Sequence, residues 1–426
     1  MPMNAQAVVA SRRRETAMAK RDFLRRLGPG IVTGAADDDP SGIGTYTSVG
    51  ATAGYGFLWS ALWLLPFAYA VQESCARLAF VTGKGLAAVI KSRMPRWVLV
   101  VAVLLVAIAN TVNIAANLSI MSAALGLIVP IDSWAGVVMF ALVLGFTEIV
   151  VPYHRYAKVL RWLCLSLLAY VAVLFVAQVD WQQVLVSTLI PSFDFSRLSF
   201  GILIALAGTT ISPYLFFWQA AEEVEGHNNV KLRRVRLSDV SAMRGDVFAG
   251  MFAGVFIMFS IMATAAATLN AQGITQISSA ADAALALKPI AGEFASLLFL
   301  VGILGVGLLS IPVLAGSTAY AVAETFGWRE SLELKPRQAK AFYGVIVVSM
   351  AVALLLNLSG IEPIHFLILA ATLNGLAAPV LMAIIWWLAR DKNLLGTWAS
   401  GRVSQFLLAF ATLAMGSLPV FWFFAG

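Results

Sequence analysis

Apolar residues in this chain come in long blocks of helical length rather than in short alternating runs. Gly, Ala, Leu, Val and Phe dominate these blocks from Ile31 to Phe424, and short polar segments separate them. A membrane barrel would instead show brief strands that alternate every second residue, so the blocks predict transmembrane helices. Helices also satisfy every backbone polar group where no water is present. Eleven spans are expected, at about 28–53, 57–82, 97–128, 134–152, 157–179, 199–224, 246–269, 293–325, 339–358, 364–389 and 402–424. The loops are short and leave no room for a soluble domain. One of them, Ser278 to Glu293, reads as a short amphipathic helix lying at the outer surface.

Composition agrees with lipid as the solvent. The 426 residues are 60% apolar and 12% charged, whereas soluble domains are about half apolar and a quarter charged. The formal charge of +7 raises nucleic acid as a partner, but the placement of the basic residues follows topology instead. Arg12, Arg13, Arg14, Lys20, Arg21, Arg25 and Arg26 precede the first span and predict a cytoplasmic N-terminus. With eleven spans, only Arg197 and Lys288 of the 29 Lys and Arg residues then fall on outside loops. A multi-pass protein of a bacterial inner membrane with its C-terminus outside is the expectation, without a nucleic-acid partner. The charged arm and the acids inside the first apolar run argue against a cleavable signal peptide. Cys75 and Cys164 offer neither a disulfide framework nor metal-ligand spacing. No nucleophile–base pair is evident, and His154, His227 and His365 sit at loops or span edges, so no enzyme is expected.

The chemistry must therefore lie inside the membrane. Span 1 contains Asp37-Asp38-Asp39-Pro40-Ser41-Gly42. Each carboxylate near mid-bilayer costs about 2.5–3.5 kcal/mol, so three in succession call for a cation or a water-filled cavity. Pro40 removes a backbone donor and Gly42 relaxes the chain, which predicts a break at 37–42 that frees carbonyl oxygens beside the acids. Hard divalent cations favour such an all-oxygen set. Asp39 is the leading ligand, with Asp37 and Asp38 facing a vestibule; the plainer role for the acids is capping of the second half-helix. Span 6 carries Gly208-Thr209-Thr210-Ile211-Ser212-Pro213-Tyr214, a second mid-span proline among small polar residues, with a break expected at 209–213. Paired interrupted helices point to an inverted-repeat transporter. Residues 27–180 and 198–390 would be the two five-helix repeats, 1–26 a cytoplasmic arm and 401–426 an added helix 11. Asn110, Asn113 and Asn117 share one face of span 3, and Asn374 sits in span 10; such residues more often bond between helices than bind ligands. Gln219, Glu222 and Glu223 end span 6, at a solvated helix end or in a cation-attracting vestibule.

These motifs resemble the Nramp (natural resistance-associated macrophage protein) family of divalent-metal transporters from Leu27 to about Leu395. Gly28-Pro29-Gly30 and Asp39-Pro40-Ser41-Gly42 resemble the family's Gly-Pro opening and Asp-Pro-Gly-Asn motif, and Arg77-Leu78-Ala79 with Thr82-Gly83-Lys84-Gly85-Leu86-Ala87 its segment after span 2. Ser212-Pro213-Tyr214 stands where Met-Pro-His is usual. The resemblance implies an all-α leucine-transporter-type fold and a metal site of Asp39, Gly42, Thr209 and Ser212, the second and last replacing an asparagine and a methionine. Tyr214 and Gln219 replace two histidines, and span 3 offers Asn113 and Asn117 in place of acids. Loss of the soft sulfur leaves a roomy oxygen-lined site that suits partly hydrated magnesium. Loss of titratable groups leaves no obvious proton relay. The pattern resembles the divergent branch of Nramp-related magnesium transporters. It implies alternating-access transport of Mg2+, with Mn2+ also accepted, by a monomer without a cofactor. Proton-coupled Mn2+ or Fe2+ import and carriage of an organic solute are the alternatives.

Overall fold

The computed structural model describes residues 29–151, 164–228, 237–332 and 334–425, all of whose regular structure is helical. The N-terminal arm and the basic residues Arg155, Lys158, Arg161, Lys231, Arg233, Arg234 and Arg236 lie outside the described residues, as does His154.

Span 1 is two helices, α1 (Pro29–Asp37) and α2 (Pro40–Ala53). Pro40 has no N–H to offer α1 but fits the first position of α2, where that N–H is surplus. Asp39 is the N-cap of α2, and its carboxylate accepts the Gly42 N–H. Next come α3 (Ser60–Thr82), α4 (Leu86–Arg93), α5 (Arg96–Gly126) and α6 (Ser133–Val150). Span 5 appears as α7 (Leu168–Val176), which runs into α8 (Trp181–Leu189) through a bend of 117°. The sixth span is again divided, into α9 (Arg197–Thr210) and α10 (Pro213–Asn228). The long helix α11 (Leu237–Thr268) follows. The segment expected as one surface helix at Ser278–Glu293 is instead a string of short pieces, including α12 (Ala280–Ala284) and α13 (Lys288–Ala291). Ala283, Ala284, Ala286 and Leu287 turn into the protein there, so burial rather than the membrane surface shapes the segment. The remaining helices are α14 (Ala295–Phe326), α15 (Lys340–Leu356), α16 (Pro363–Ala389), α17 (Lys392–Leu395) and α18 (Arg402–Phe424).

Among the described residues, eight helical segments are long and apolar enough to cross a membrane, or nine if the bent α7–α8 pair counts as one. The first two of the eleven expected spans are not among them. Span 1 is cut into pieces of 9 and 14 residues. Helix α3 is long enough but carries Gln72, Glu73 and Arg77, all buried. The Arg77 guanidinium pairs with the Glu73 carboxylate one turn away, and Arg244 Nε on α11 reaches the same carboxylate at 2.8 Å. A buried acid with two cations is affordable only with such satisfaction, and the pairing ties α3 to α11. Outward surfaces are apolar: Leu142, Phe146, Val348 and Leu413 are each more than 60% exposed, as a surface that meets acyl chains requires.

Small residues set the closest crossings. A Cβ on Gly30 would lie 2.6 Å from the Val247 nitrogen, and one on Gly34 would strike the Gly250 backbone, so α1 lies directly on α11. Gly208 on α9 and Gly375 on α16 press backbone to backbone in the same way. With no hydrophobic drive between helices in lipid, this close van der Waals contact supplies the association. Asp246 adds a cap, its carboxylate accepting the Gly30 N–H at 2.6 Å.

Candidate metal centre

The gap between α1 and α2 places Asp37, Asp38 and Asp39 in the interior, each at most 4% exposed. Asp39 is surrounded by donors. Its Oδ1 accepts Ser41 Oγ at 2.5 Å and Gly42 N at 2.9 Å. Its Oδ2 accepts Asn113 Nδ2 at 3.0 Å and Asn117 Nδ2 at 3.1 Å, both from α5. The four-residue spacing puts those amides on one face of α5. Oδ1 of Asp37 and of Asp38 has no hydrogen-bond partner. Among the described residues no three His, Cys, Asp or Glu side chains are arranged to hold one metal ion, so the three aspartates do not chelate together. Of the three, Asp39 is the one whose two oxygens are both held by neutral donors.

The span 6 break is joined to the span 1 break by two tyrosines. Tyr214, just after Pro213, donates to the Ala36 carbonyl at 2.8 Å, and Tyr46 on α2 shares a 3.2 Å hydrogen bond with Thr210. A Cβ at Gly42 would meet the Tyr46 ring at 3.1 Å; the phenol occupies the space of a side chain at 42. Ser212 turns its hydroxyl back onto the carbonyls of Gly208 and Thr209, at 2.9 and 2.8 Å. The Thr209 hydroxyl likewise bonds Ala205 O at 2.9 Å. The Thr209 carbonyl is thus engaged by Ser212 in this conformation.

The structure brings Asp39, Gly42, Asn113 and Asn117 into one hydrogen-bonded cluster. It does not bond Gln219 to it: Gln219 Nε2 donates to Glu223 Oε1 at 3.0 Å, one turn along α10. Glu223 is 2% exposed, so the helix end expected to be solvated is buried there, while Glu222 is half-buried. Asn374 is fully buried with neither end of its amide partnered. Near the same end, on the loop before α15, burial together with the Glu324 and Glu225 carboxylates pushes Glu330 up to about 8. Sequence reading missed Ser41, Tyr46 and Glu148. Tyr46 lies four residues after Gly42, a one-face spacing that was available. Glu148 on α6 is buried with both oxygens unpartnered; an acid inside an apolar span was its signal.

A chain of packed membrane helices, two of them interrupted around a buried aspartate, defines the class as a polytopic membrane protein of leucine-transporter-type fold. A family model described as natural resistance-associated macrophage protein-like matches residues 30–425. The chain belongs to the Nramp family. It is 26% identical over 395 residues to the divalent metal cation transporter MntH of Pectobacterium carotovorum, covering 90% of each chain. It is 25% identical to the protein of that name from Yersinia pestis over 414 residues, covering 95% of each. Among solved structures, the manganese transporter of Eremococcus coleocola superposes with a TM-score of 0.73 at 18% identity, over 98% of this chain and 87% of the other.

Proposed function

We propose that the protein is a divalent-cation transporter, not an enzyme, that moves Mg2+ and also accepts Mn2+ across a bacterial inner membrane. Alternating access of the two interrupted helices carries the ion, as a monomer with eleven spans in a five-plus-five inverted repeat and one added helix. The N-terminus is cytoplasmic and the C-terminus outside. Asp39 binds the ion with carbonyls near Gly42 and Thr209, and Ser212 contacts it directly or through water; Asp37 and Asp38 hold the approach negative.

One observation carries the choice of ion: the hydrogen bonds to the Asp39 carboxylate all come from neutral groups, with Asp37 and Asp38 buried beside it and a serine at the broken end of α9. Hard oxygen ligands suit magnesium, and a site that supplies few of them leaves the ion most of its waters. Transport without protons is energetically open. A potential negative inside contributes about 2.3 kcal/mol per charge per 100 mV, and roughly twice that for a divalent ion.

The names of the relatives favour a second reading, proton-coupled manganese import. Proteoliposomes that report Mn2+ uptake and internal pH together separate the two. Excess Mg2+ is expected to block Mn2+ uptake while internal pH stays level. Uptake that acidifies the lumen and ignores Mg2+ would establish the second reading.

A further inference from the structure

Every acceptor position of the Asp39 carboxylate is filled. Two carboxylate oxygens offer about four lone-pair positions, and Ser41, Gly42, Asn113 and Asn117 each donate to one. A cation cannot reach the carboxylate through positively polarised N–H groups, so some donors must leave when the ion arrives. The Gly42 N–H is fixed at the start of α2. The Ser41 hydroxyl is a rotor and can present its oxygen instead. The two carboxamides remain.

Asn113 and Asn117 are fully buried, and Oδ1 of each has no hydrogen-bond partner. Buried orphan acceptors are rare and demand a reason. A carboxamide's oxygen and nitrogen share one carbon, so each orphan oxygen lies one amide width from the nitrogen bonded to Asp39. The terminal torsion of asparagine is broad and roughly two-fold. Turning it over puts oxygen where nitrogen was, with no change of shape. Asn110, one turn earlier on α5, provides a contrast. Its Oδ1 is likewise unpartnered, but its Nδ2 meets only the neutral Leu314 O, Ser317 Oγ and Thr318 Oγ1 on α14 at 2.8–3.1 Å, so it faces no carboxylate and turning it over would forfeit the bond to the carbonyl.

We propose that Asn113 and Asn117 reverse their carboxamides when a divalent cation reaches Asp39, exchanging two N–H groups that hold the empty carboxylate for two neutral oxygen ligands on the ion. The inference rests on the reading of Asp39 as the ion's carboxylate. Before loading, the amide protons compensate the buried charge; after loading, the ion does so and the amides contribute two oxygens beside the waters it keeps. No proton is taken up or released in the exchange. The added oxygens bring no charge, which keeps a hard, partly hydrated ion from being held too tightly to leave.

The test is calorimetric titration of the purified full chain with Mg2+ and with Mn2+. Asn113→Leu and Asn117→Leu are each expected to weaken binding about 10–100-fold, the usual range for groups that support a metal ligand. Asn113→Asp keeps an oxygen and loses the N–H, and is expected to bind at least as tightly as the natural protein. Asn110→Leu should lower thermal stability without changing affinity. Equal weakening by Asn113→Leu and Asn113→Asp would mean that only the N–H matters, and would overturn the inference. Unchanged affinity in both Leu variants, with binding lost in Asp39→Asn, would also overturn it but leave the transporter reading standing. Unchanged affinity in Asp39→Asn would remove both. Should the Leu variants not fold, the natural protein carrying 13C-carboxamide asparagine and loaded with Mn2+ decides by electron–nuclear double resonance. Two 13C couplings of directly bound amides are expected, and their absence refutes the proposal.

Discussion

The two helix breaks look alike in sequence, a proline among small polar residues, yet they solve the problem of broken backbone in opposite ways. At the break between α9 and α10 the hydroxyls serve their own helix: Ser212 bonds Gly208 and Thr209 carbonyls, and Thr209 bonds Ala205 O. That break is neutral and largely closed on its own helix, with Thr210 also meeting Tyr46 of α2. At the break between α1 and α2, three acids are buried together, and the groups that satisfy Asp39 Oδ2 arrive from α5 while Tyr214 of α10 satisfies Ala36. That break is charged and depends on its neighbours. A buried charge cannot be left to local groups at these depths, so charge concentrates where tertiary packing can answer it. On the proposed reading, the first break supplies the charge that meets the ion and the second adds neutral oxygen beside it.

The contrast can be broken at its most dependent point. Gly34→Val forces a side chain into the Gly250 backbone and should push α1 off α11. Overpacking of this kind costs about 1–3 kcal/mol, occasionally more, here with no flexible neighbour to yield. Low recovery of folded protein and a lowered thermal midpoint in detergent are expected, and an unchanged midpoint would show that the first half-helix is not held by this contact. A smaller and more selective effect is expected at the self-contained break. Ser212→Met replaces a hydroxyl with a soft sulfur and should tilt competition toward Cd2+ and Mn2+ relative to Mg2+. Stability should also fall, by the hydroxyl's bonds to helix carbonyls, about 1 kcal/mol, and by the crowding of a longer side chain at a buried position, about 1–3 kcal/mol. An unchanged competition profile would remove Ser212 from the ion's surroundings.

How far the sequence announces these features depends on their range. A proline that follows an aspartate marks a helix start, because proline tolerates the first position and the acid accepts the freed N–H; Asp39, Pro40 and Gly42 are therefore legible one by one. The one-face spacing of Asn113 and Asn117 is legible too, but their partner is not, since nothing local joins α5 to a residue some seventy positions earlier in the chain. Glycine spacing carries the same ambiguity. Gly85 enters the sequence reading only as part of a motif, and the structure gives it a steric reason: the Glu324 carboxylate lies where its side chain would be and caps α4 through the Ala88 N–H at 2.8 Å. The 117° bend after α7 falls where the apolar pattern is interrupted by Gln178 and Asp180, at the expected end of span 5, with Asp180 capping the helix that follows. Ser278–Glu293 fails differently, because its alternation of small and polar residues fits both a surface helix and a buried string of turns. Only packing decides between them.

Proteoliposome flux of Mg2+ with Asp39→Asn beside the natural protein tests the central claim most directly. The substitution keeps an oxygen to cap α2, removes the charge and turns the other oxygen into an NH2 group facing Asn113 and Asn117, so the variant should insert and fold while Mg2+ flux falls to the level of empty liposomes. Equal flux in the two proteins would mean that the ion crosses without the aspartate between the half-helices, and the account would fail.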